Sequence, residues 1–338
     1  SAQAGVEDGK RVLLINQSCQ NLTLSGPICT LAKNAIAANK CNTIAAVLGN
    51  NPAAKETIVQ QSDGGRSAQL DQAYTCVEIN LNTDDYKGTI SANQSNIIPL
   101  KGQSAFDTVE LSWHSRDDLT SAAGAVTFPA GSGQVTLPPA GQWGVSSPAL
   151  MRAQLMQTGT NFTLDSFNDS QAGNKSNANT LFLYPGTPFG GGTQTSSFAL
   201  DARRVAGPLN VPRLVACKSS FAAGDEYICT VRIAVPAPID GNTAAPGAFL
   251  RLSALYNGTH YDLKLYKGPT LVPFDGVQPI IDSTGRANNM FRRVQARVEL
   301  TGNFTYPEAA VDISGSLCKN FSITDQPTDY ENSTTCTP

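Results

Sequence analysis

SAQAGVEDGKRVLLINQ, from Ser1 to Gln17, is the stretch whose reading decides the fold. Ala2, Val6, Gly9 and Leu13 recur at spacings of four, three and four, which puts them on one face of a helix. Glu7, Asp8, Lys10 and Arg11 fall largely on the other faces, acids before bases, as the helix dipole prefers. Gly5 and Gly9 each cost a helix about 1 kcal/mol relative to Ala. A helix that carries both gains from bare backbone, as where a neighbouring element comes close. Nearly everything downstream reads as strand, so this helix needs something to pack on.

Composition bounds the rest. With 338 residues the chain can bury a sizeable core, in one large β region or two smaller ones. Its 24 basic and 27 acidic residues leave a formal charge of −3, without the global basic field that marks nucleic-acid binding. The 29 Gly and 20 Pro describe many turns joining short elements. The 8 Cys include no C-x-x-C pair and only 2 His accompany them, so disulfides, not zinc, are the expected use. That places the protein in an oxidising compartment: secreted, periplasmic or at a cell surface. Asn16, Asn21, Asn93 and Asn257 are among the N-x-S/T sequons, which fit the same compartment.

Along the chain, residues 1–50 read as helical. A second helix starts at Pro27, with Ile28, Leu31, Ala35 and Ala38 on one face. A helix over Pro27 to Asn39 would hold Cys29 and Cys41 about 18 Å apart at 1.5 Å per residue, beyond disulfide reach. The connectivity of Cys19, Cys29, Cys41 and Cys76 stays open, with Cys19 to Cys29 and Cys41 to Cys76 preferred. Asn50 to Gln69 reads as a loop. A first β region spans 70–200, with strands at Tyr74 to Leu81, Asn96 to Leu100, Thr108 to His114, Leu150 to Gln157 and Thr180 to Tyr184, and edge pieces within Val126 to Leu137. Between them lie long polar loops, the one from Phe162 to Thr180 and the one from Pro185 to Thr195.

A second β region spans 205–315. Arg213 to Ser219 and Glu226 to Val235 are strands, with Cys217 and Cys229 placed for a cross-strand bridge. Phe249 to Tyr256 and Thr259 to Tyr266 flank Asn257-Gly258, which predicts a two-residue type I′ hairpin. Lys267 to Ser283, with Pro269, Pro273 and Pro279, reads as irregular edge. Met290 to Leu300 is a strand with Val294, Ala296 and Val298 on one face and Arg293, Gln295 and Arg297 on the other. The fold class is mainly β: an N-terminal helix followed by a large antiparallel β-sandwich region, in one body or in two lobes divided near Asp201 to Arg213. Residues 316–338 form a terminal loop.

Residues with chemical potential are few. His114 and His260 each sit in a strand with no G-x-S-x-G nucleophile nearby. The acid pairs Asp84-Asp85 and Asp117-Asp118 would serve a hydrolase only if placed around a substrate, and adjacent loop acids are mostly solvated. Asp165, Asn168 and Asp169 cluster oxygens without EF-hand spacing, so no metal and no cofactor is expected. Trp113, Trp143, Tyr184 and Tyr261 would suit sugar stacking if exposed. The alternating Arg292, Arg293 and Arg297 are either a solvated strand face or a basic stripe for a neighbour.

Three stretches resemble type IV pilus minor pilins and pilin-like proteins. QAGVEDGKRVLL resembles the end of their long N-terminal helix, whose preceding apolar half this chain lacks. IIDSTGRANNMFRRVQARVEL, from Ile280 to Leu300, resembles their penultimate-strand region, with Asp282-Ser283-Thr284-Gly285 as the turn and Asn288-Asn289 where a small residue is expected. Cys318 and Cys336 enclose 17 residues, like the disulfide-closed C-terminal loop of major pilins. Such a closure restricts the unfolded chain by about 3 kcal/mol, and closeness in sequence also favours it. The resemblance implies a non-catalytic extracellular subunit, a minor or tip pilin active in surface attachment, truncated to its soluble portion. Its partners would be other pilin subunits and a host-surface or glycan ligand, with membrane contact only through the missing helix half. Gly5 and Gly9 would then be helix-packing positions in a filament core, so that Leu at both is expected to leave the isolated domain at least as stable. The competing expectations are a secreted carbohydrate-binding β-sandwich and, behind it, a secreted carboxylate hydrolase.

Overall fold

The apolar period of the first stretch is realised as helix α1 (Ala2–Asn21), which buries Ala2, Gly5, Val6, Gly9, Val12 and Leu13. A second helix, α2 (Pro27–Ala38), opens with its proline in the first turn, where no N–H is needed. It stops at Asn39, whose φ of 42° supplies the left-handed C-cap. The computed structural model describes residues 1–41, 43–51, 56–60, 72–119, 126–129, 138–157, 180–186, 194–198, 213–243 and 246–300, except the side chains of Asn21, Gln60 and Ala140.

The strands, in order, are β1 (Thr57–Gln60), β2 (Gln72–Thr83), β3 (Tyr86–Ile90), β4 (Ser95–Leu100), β5 (Phe106–Ser115), β6 (Leu150–Gln157), β7 (Thr180–Gly186), β8 (Gln194–Ser197), β9 (Arg213–Ala216), β10 (Tyr227–Ile239), β11 (Ala248–Leu255), β12 (Thr259–Lys267), β13 (Thr270–Val272), β14 (Phe274–Ala287) and β15 (Met290–Arg297). They form three sheets. The first runs β1-β2-β14-β15; the second runs β13-β12-β5-β10-β8, with β3 also on β12; the third runs β4-β11-β6-β7-β9. Two helices and mostly antiparallel strands make the chain mainly β, but β10–β8 and β7–β9 pair in parallel.

Two cores result. The first sheet and the helices enclose Val6, Val12, Leu13, Ile36, Ile44, Tyr74, Val77, Ile79 and Ile281. The second and third sheets share a larger core, in which Val109, Leu111 and Trp113 of β5 join Met151, Ala153 and Leu155 of β6 and Leu250 and Leu252 of β11. Strands on either side of residue 201 pair directly, β5 with β10 and β6 with β11, so the two halves of the sequence interleave within each sheet.

Several expectations are corrected. Asn50 to Gln69 is not wholly a loop, because β1 pairs there with β2 through Thr57 and Tyr74. Asn257-Gly258 does not close a hairpin: β11 pairs with β4 and β6, β12 with β3, β5 and β13, and the connection crosses between sheets. Positive φ falls on Tyr256, at 71°, and Asn257 spends its amide on the carbonyls of Gly144 and Ser147, each at 2.8 Å. The proline-rich run after Lys267 includes most of β14, the second central strand of the first sheet. Its prolines sit where no ladder bond is required: Pro269 in a turn, Pro273 between strands, Pro279 within the register shift between Asp275 and Ile280. Asp282 to Gly285 lie inside β14, and the turn to β15 is Asn288-Asn289, with Asn288 at φ 54°. Val126 to Pro129 form no strand.

Disulfides link Cys19 to Cys29, Cys41 to Cys76, and Cys217 to Cys229. The first joins α1 to α2, and the second ties the segment after α2 to β2. The third is the pair the spacing suggested: Cys217 follows β9 of the third sheet, Cys229 lies in β10 of the second, and beside them the Lys218 N–H donates to the Ile228 carbonyl at 3.0 Å. Cys318 and Cys336 lie outside the described residues. Replacing Cys217 and Cys229 together by Ala should lower the unfolding free energy by about 3 kcal/mol, read from urea denaturation. A loss under about 1 kcal/mol would show that the two sheets hold together without it.

Candidate functional site

The first sheet is the candidate site, because it holds α1 by contacts the sequence pays for. A Cβ on Gly5 would collide with Oγ of Ser283 and lie 2.8 Å from Cγ2 of Val77; one on Gly9 would lie 2.8 Å from Cγ2 of Ile281. A Cβ on Gly285 would run into the backbone of Ala2. Three glycines therefore bring α1 close onto the sheet: Gly5 and Gly9 leave room for the side chains of Tyr74, Val77, Ile281 and Ser283, and Gly285 admits the backbone of Ala2. This corrects the assignment of Gly5 and Gly9 to contacts with other helices: the close neighbour is the chain's own β2 and β14.

Polar groups fix the register of this contact. The Tyr74 hydroxyl donates to Asp8 Oδ2 at 2.8 Å, and burial, with the Asp8 carboxylate adding to it, pushes the phenol up to about 12. Gln17 Nε2 donates to the Leu300 carbonyl at 2.7 Å, tying the far end of α1 to the chain just past β15. The opposite face of α1 stays exposed as a stripe: Gln3, Glu7, Arg11, Leu14 and Ser18. Along it Lys10 meets Glu7 at 2.9 Å and Arg11 meets Asp8 at 3.4 Å. Such exposed helix pairs contribute little stability, so the stripe is free to serve a neighbour.

The arginines of β15 differ from one another. Arg293 makes a forked pair with Asp282, its Nε lying 2.7 Å from Oδ1. Arg297 reaches Asp85 at 2.7 Å and the amide oxygen of Gln278 at 3.1 Å. Arg292 is exposed and makes no ion pair among the described residues. Val294, Ala296 and Val298 pack toward the helices, as the alternation requires. Gln278, buried in the β14 register shift, exchanges two hydrogen bonds with the backbone of Lys87, at 3.0 and 2.8 Å, and so locks the first sheet to β3.

The acid pairs split. Asp84 and Asp117 are exposed, but Asp85 is engaged by Arg297 and Lys87, and Asp118 is half-buried with its side chain only 7% exposed. Asp118 accepts the Ser115 N–H at 2.7 Å, the His260 N–H at 3.1 Å and a 2.6 Å contact from His260 Nδ1. It thus caps the Arg116–Asp118 turn and clamps the start of β12. The fold brings both histidines near this acid. His114 sits at φ 64°, a strained value for its bulk, and neither ring nitrogen has a partner among the described residues. Burial pushes its imidazole below the usual range, against the pull of Asp118. An aspartate saturated by structural donors is poorly placed to orient a catalytic base.

Trp113, Trp143, Tyr184 and Tyr261, considered for sugar stacking, are all buried. Trp143 stacks on Tyr256 at 4.1 Å between centroids and meets Tyr184 edge-on at 5.6 Å. Cys41, Cys76 and Glu78 come together, but both sulfurs are spent in a disulfide and offer no thiolate. A cleft of about 410 Å³ is lined by Gln194, Thr195, Ser196, Arg213, Leu214 and Val231, without acid or imidazole. Asp165, Asn168 and Asp169 lie outside the described residues. The sequence signal for the real contact was present in Gly5 and Gly9; what it lacked was the partner, since Ser283 and Ile281 are more than 270 residues away.

Two measurements follow. Leu at Gly5 or at Gly9 should destabilise the protein by about 1–3 kcal/mol through overpacking, outweighing the roughly 1 kcal/mol gained in helix propensity; an equal or raised melting temperature would contradict the packing. Asp262, buried on β12 beside Lys264, Asp85 and Lys87, is raised to about 6 by burial. A carboxyl whose folded pKa lies above its unfolded value contributes stability at low pH that is lost as pH rises through about 6. Asp262→Asn should therefore gain about 1–3 kcal/mol at pH 7.5 and nothing below about pH 4. Denaturation curves at the two pH values check this, and a gain at pH 4 as large as at pH 7.5 would refute the assignment.

No family model, no curated protein and no solved structure matches this chain, so its function must be read from its own residues.

Proposed function

We propose that the chain is a non-catalytic extracellular subunit of a type IV pilus or related filament, a minor or tip pilin engaged in surface attachment. One observation carries this reading: α1 lies on a four-stranded sheet whose central strands, β2 and β14, bracket a large β body. That arrangement suits a subunit that assembles through its helix and displays the rest. The second and third sheets are read as the two layers of one β-sandwich, the part presented to a host surface or glycan. Disulfides in three pairs suit an oxidising extracellular setting. No described helix is long and apolar enough to cross a membrane.

Because Gly5 and Gly9 are used within the subunit, contact with neighbouring subunits falls to the exposed stripe of Gln3, Glu7, Arg11, Leu14 and Ser18. The test uses the full-length gene product in its own host. The protein should shear off cells with filaments, in small amount relative to a main subunit. Glu7→Arg combined with Leu14→Asp should cut that recovery at least tenfold while the melting temperature stays within about 2 °C, since surface changes are nearly neutral. Recovery of the unaltered protein only as free protein in the medium would overturn the reading.

A further inference from the structure

Charge in the third sheet is of one sign. Its five strands hold Arg152, Arg213 and Arg251, and no Asp, Glu or Lys. Two of these arginines share a face. In the β6–β11 register Arg152 stands opposite Ser253 and Arg251 opposite Gln154, so the arginines are diagonal neighbours, about 7–8 Å apart along the backbone and within reach of each other's long side chains. The alternate residues Met151, Ala153, Leu155, Leu250 and Leu252 belong to the large core, so the arginine pair faces away from it. Both side chains are half-buried, and the Nε of each is closed off from solvent without a hydrogen-bond partner among the described residues. Arg152 donates from Nη2 to Ser253 Oγ at 3.1 Å, and Ser253, itself buried, lies 2.9 Å from Ser95 Oγ. Among the described residues no acid pairs with either arginine. The charge that bears on Arg152 is that of Arg251, which adds to burial in holding its guanidinium below the usual range.

Like charges on neighbouring positions of a sheet, with N–H groups withdrawn from water, cost stability that a neutral pair would not. A bound anion removes both costs, because it offsets the repulsion and accepts the unused N–H groups. We infer that Arg152 and Arg251 form a binding site for an oxyanion group, a carboxylate or sulfate. The planar fork of a guanidinium matches two oxygens of either group. Ser253 holds Arg152 in place before the ligand arrives, and Arg251, whose side chain makes no hydrogen bond among the described residues, closes on it from the next strand. On the same face Phe182 stands beside Arg152 and Ile97 beside Arg251. These apolar neighbours exclude part of the water, which strengthens the attraction. An acidic sugar brings such a group to a subunit that attaches to glycans, and a free inorganic anion brings the same group without the sugar. Anion binding goes beyond the filament reading and is tested apart from it, on the chain as given and without filaments.

The experiment is isothermal titration calorimetry with sodium sulfate, sodium acetate, sodium glucuronate and glucose, at an ionic strength held constant with sodium chloride so that screening is the same throughout. Sulfate and glucuronate should bind saturably, and glucose should not bind. Glucuronate at least tenfold tighter than acetate supports the site and assigns its ligand to the sugar acids; equal affinity of the two supports it as a site for a small free anion. Arg251→Gln should lower the affinity for sulfate and glucuronate at least tenfold. Arg213→Gln, on the opposite face with Leu183, should leave both unchanged. In chloride alone Arg251→Gln should melt no lower than the unaltered chain, since it removes a repulsion and no hydrogen bond; an arginine kept for structure would show a loss. Absence of binding by both anions, glucose binding as tight as glucuronate, full affinity in Arg251→Gln, or a melting temperature of that variant several degrees lower in chloride would each overturn the inference.

Discussion

The close contact of α1 with β2 and β14 is the constraint on which the rest depends. Gly5 and Gly9 remove side chains where Val77, Ser283 and Ile281 arrive, and Gly285 returns the favour against Ala2. Helices normally avoid such glycines because each raises the entropy lost on folding. Here that loss is offset by burial of Val6, Val12 and Leu13, at about 1.5–3 kcal/mol for each large side chain. The Cys19–Cys29 and Cys41–Cys76 links then hold α2 and its following segment over the same sheet. Helix, sheet and disulfides thus act together, although the parts are hundreds of residues apart in sequence.

Strand β14 transmits this arrangement to the larger body. Its early residues Phe274 and Val277 belong to the large core and Ile281 to the smaller one. Between them the register shift at Asp275 to Ile280 re-aims the chain, with Gly276 at φ 65° and Pro279 placed where no ladder N–H is missed. Gln278 fills the gap by bonding to the Lys87 backbone, and the Tyr86 hydroxyl reaches Glu299 at 2.8 Å from the other side. The helix-bearing sheet and the body with two sheets are in this way joined by buried polar bonds as well as by covalent chain.

Local signals in the sequence were sufficient for elements whose period is unbroken. Both helices, and the strands around Thr108, Leu150, Glu226 and Met290, carry enough alternation or helical spacing to be read directly. Non-local facts were not. Asn257-Gly258 has the composition of a hairpin, but the demand of two different sheets for β11 and β12 overrode the turn preference and moved the positive φ to Tyr256. The prolines after Lys267 hid β14, because composition cannot show which backbone N–H groups a sheet leaves idle. Trp113 and Tyr261 look equally suited to a sugar face or a core, and only the pairing of β5 with β12 decides between them. The proximity of His114, His260 and Asp118 likewise exists only once that pair is formed.

The central claim is that α1 belongs to the folded body as firmly as β14 does, with its polar stripe left for other contacts. Native-state hydrogen exchange tests this most directly, residue by residue. If α1 is locked by glycine-mediated contact, the amides of Gly9 to Leu13 should exchange in the same slow class as those of Ile281 and Ser283, through global unfolding alone. Rapid exchange across α1, while β14 stays protected, would contradict the account.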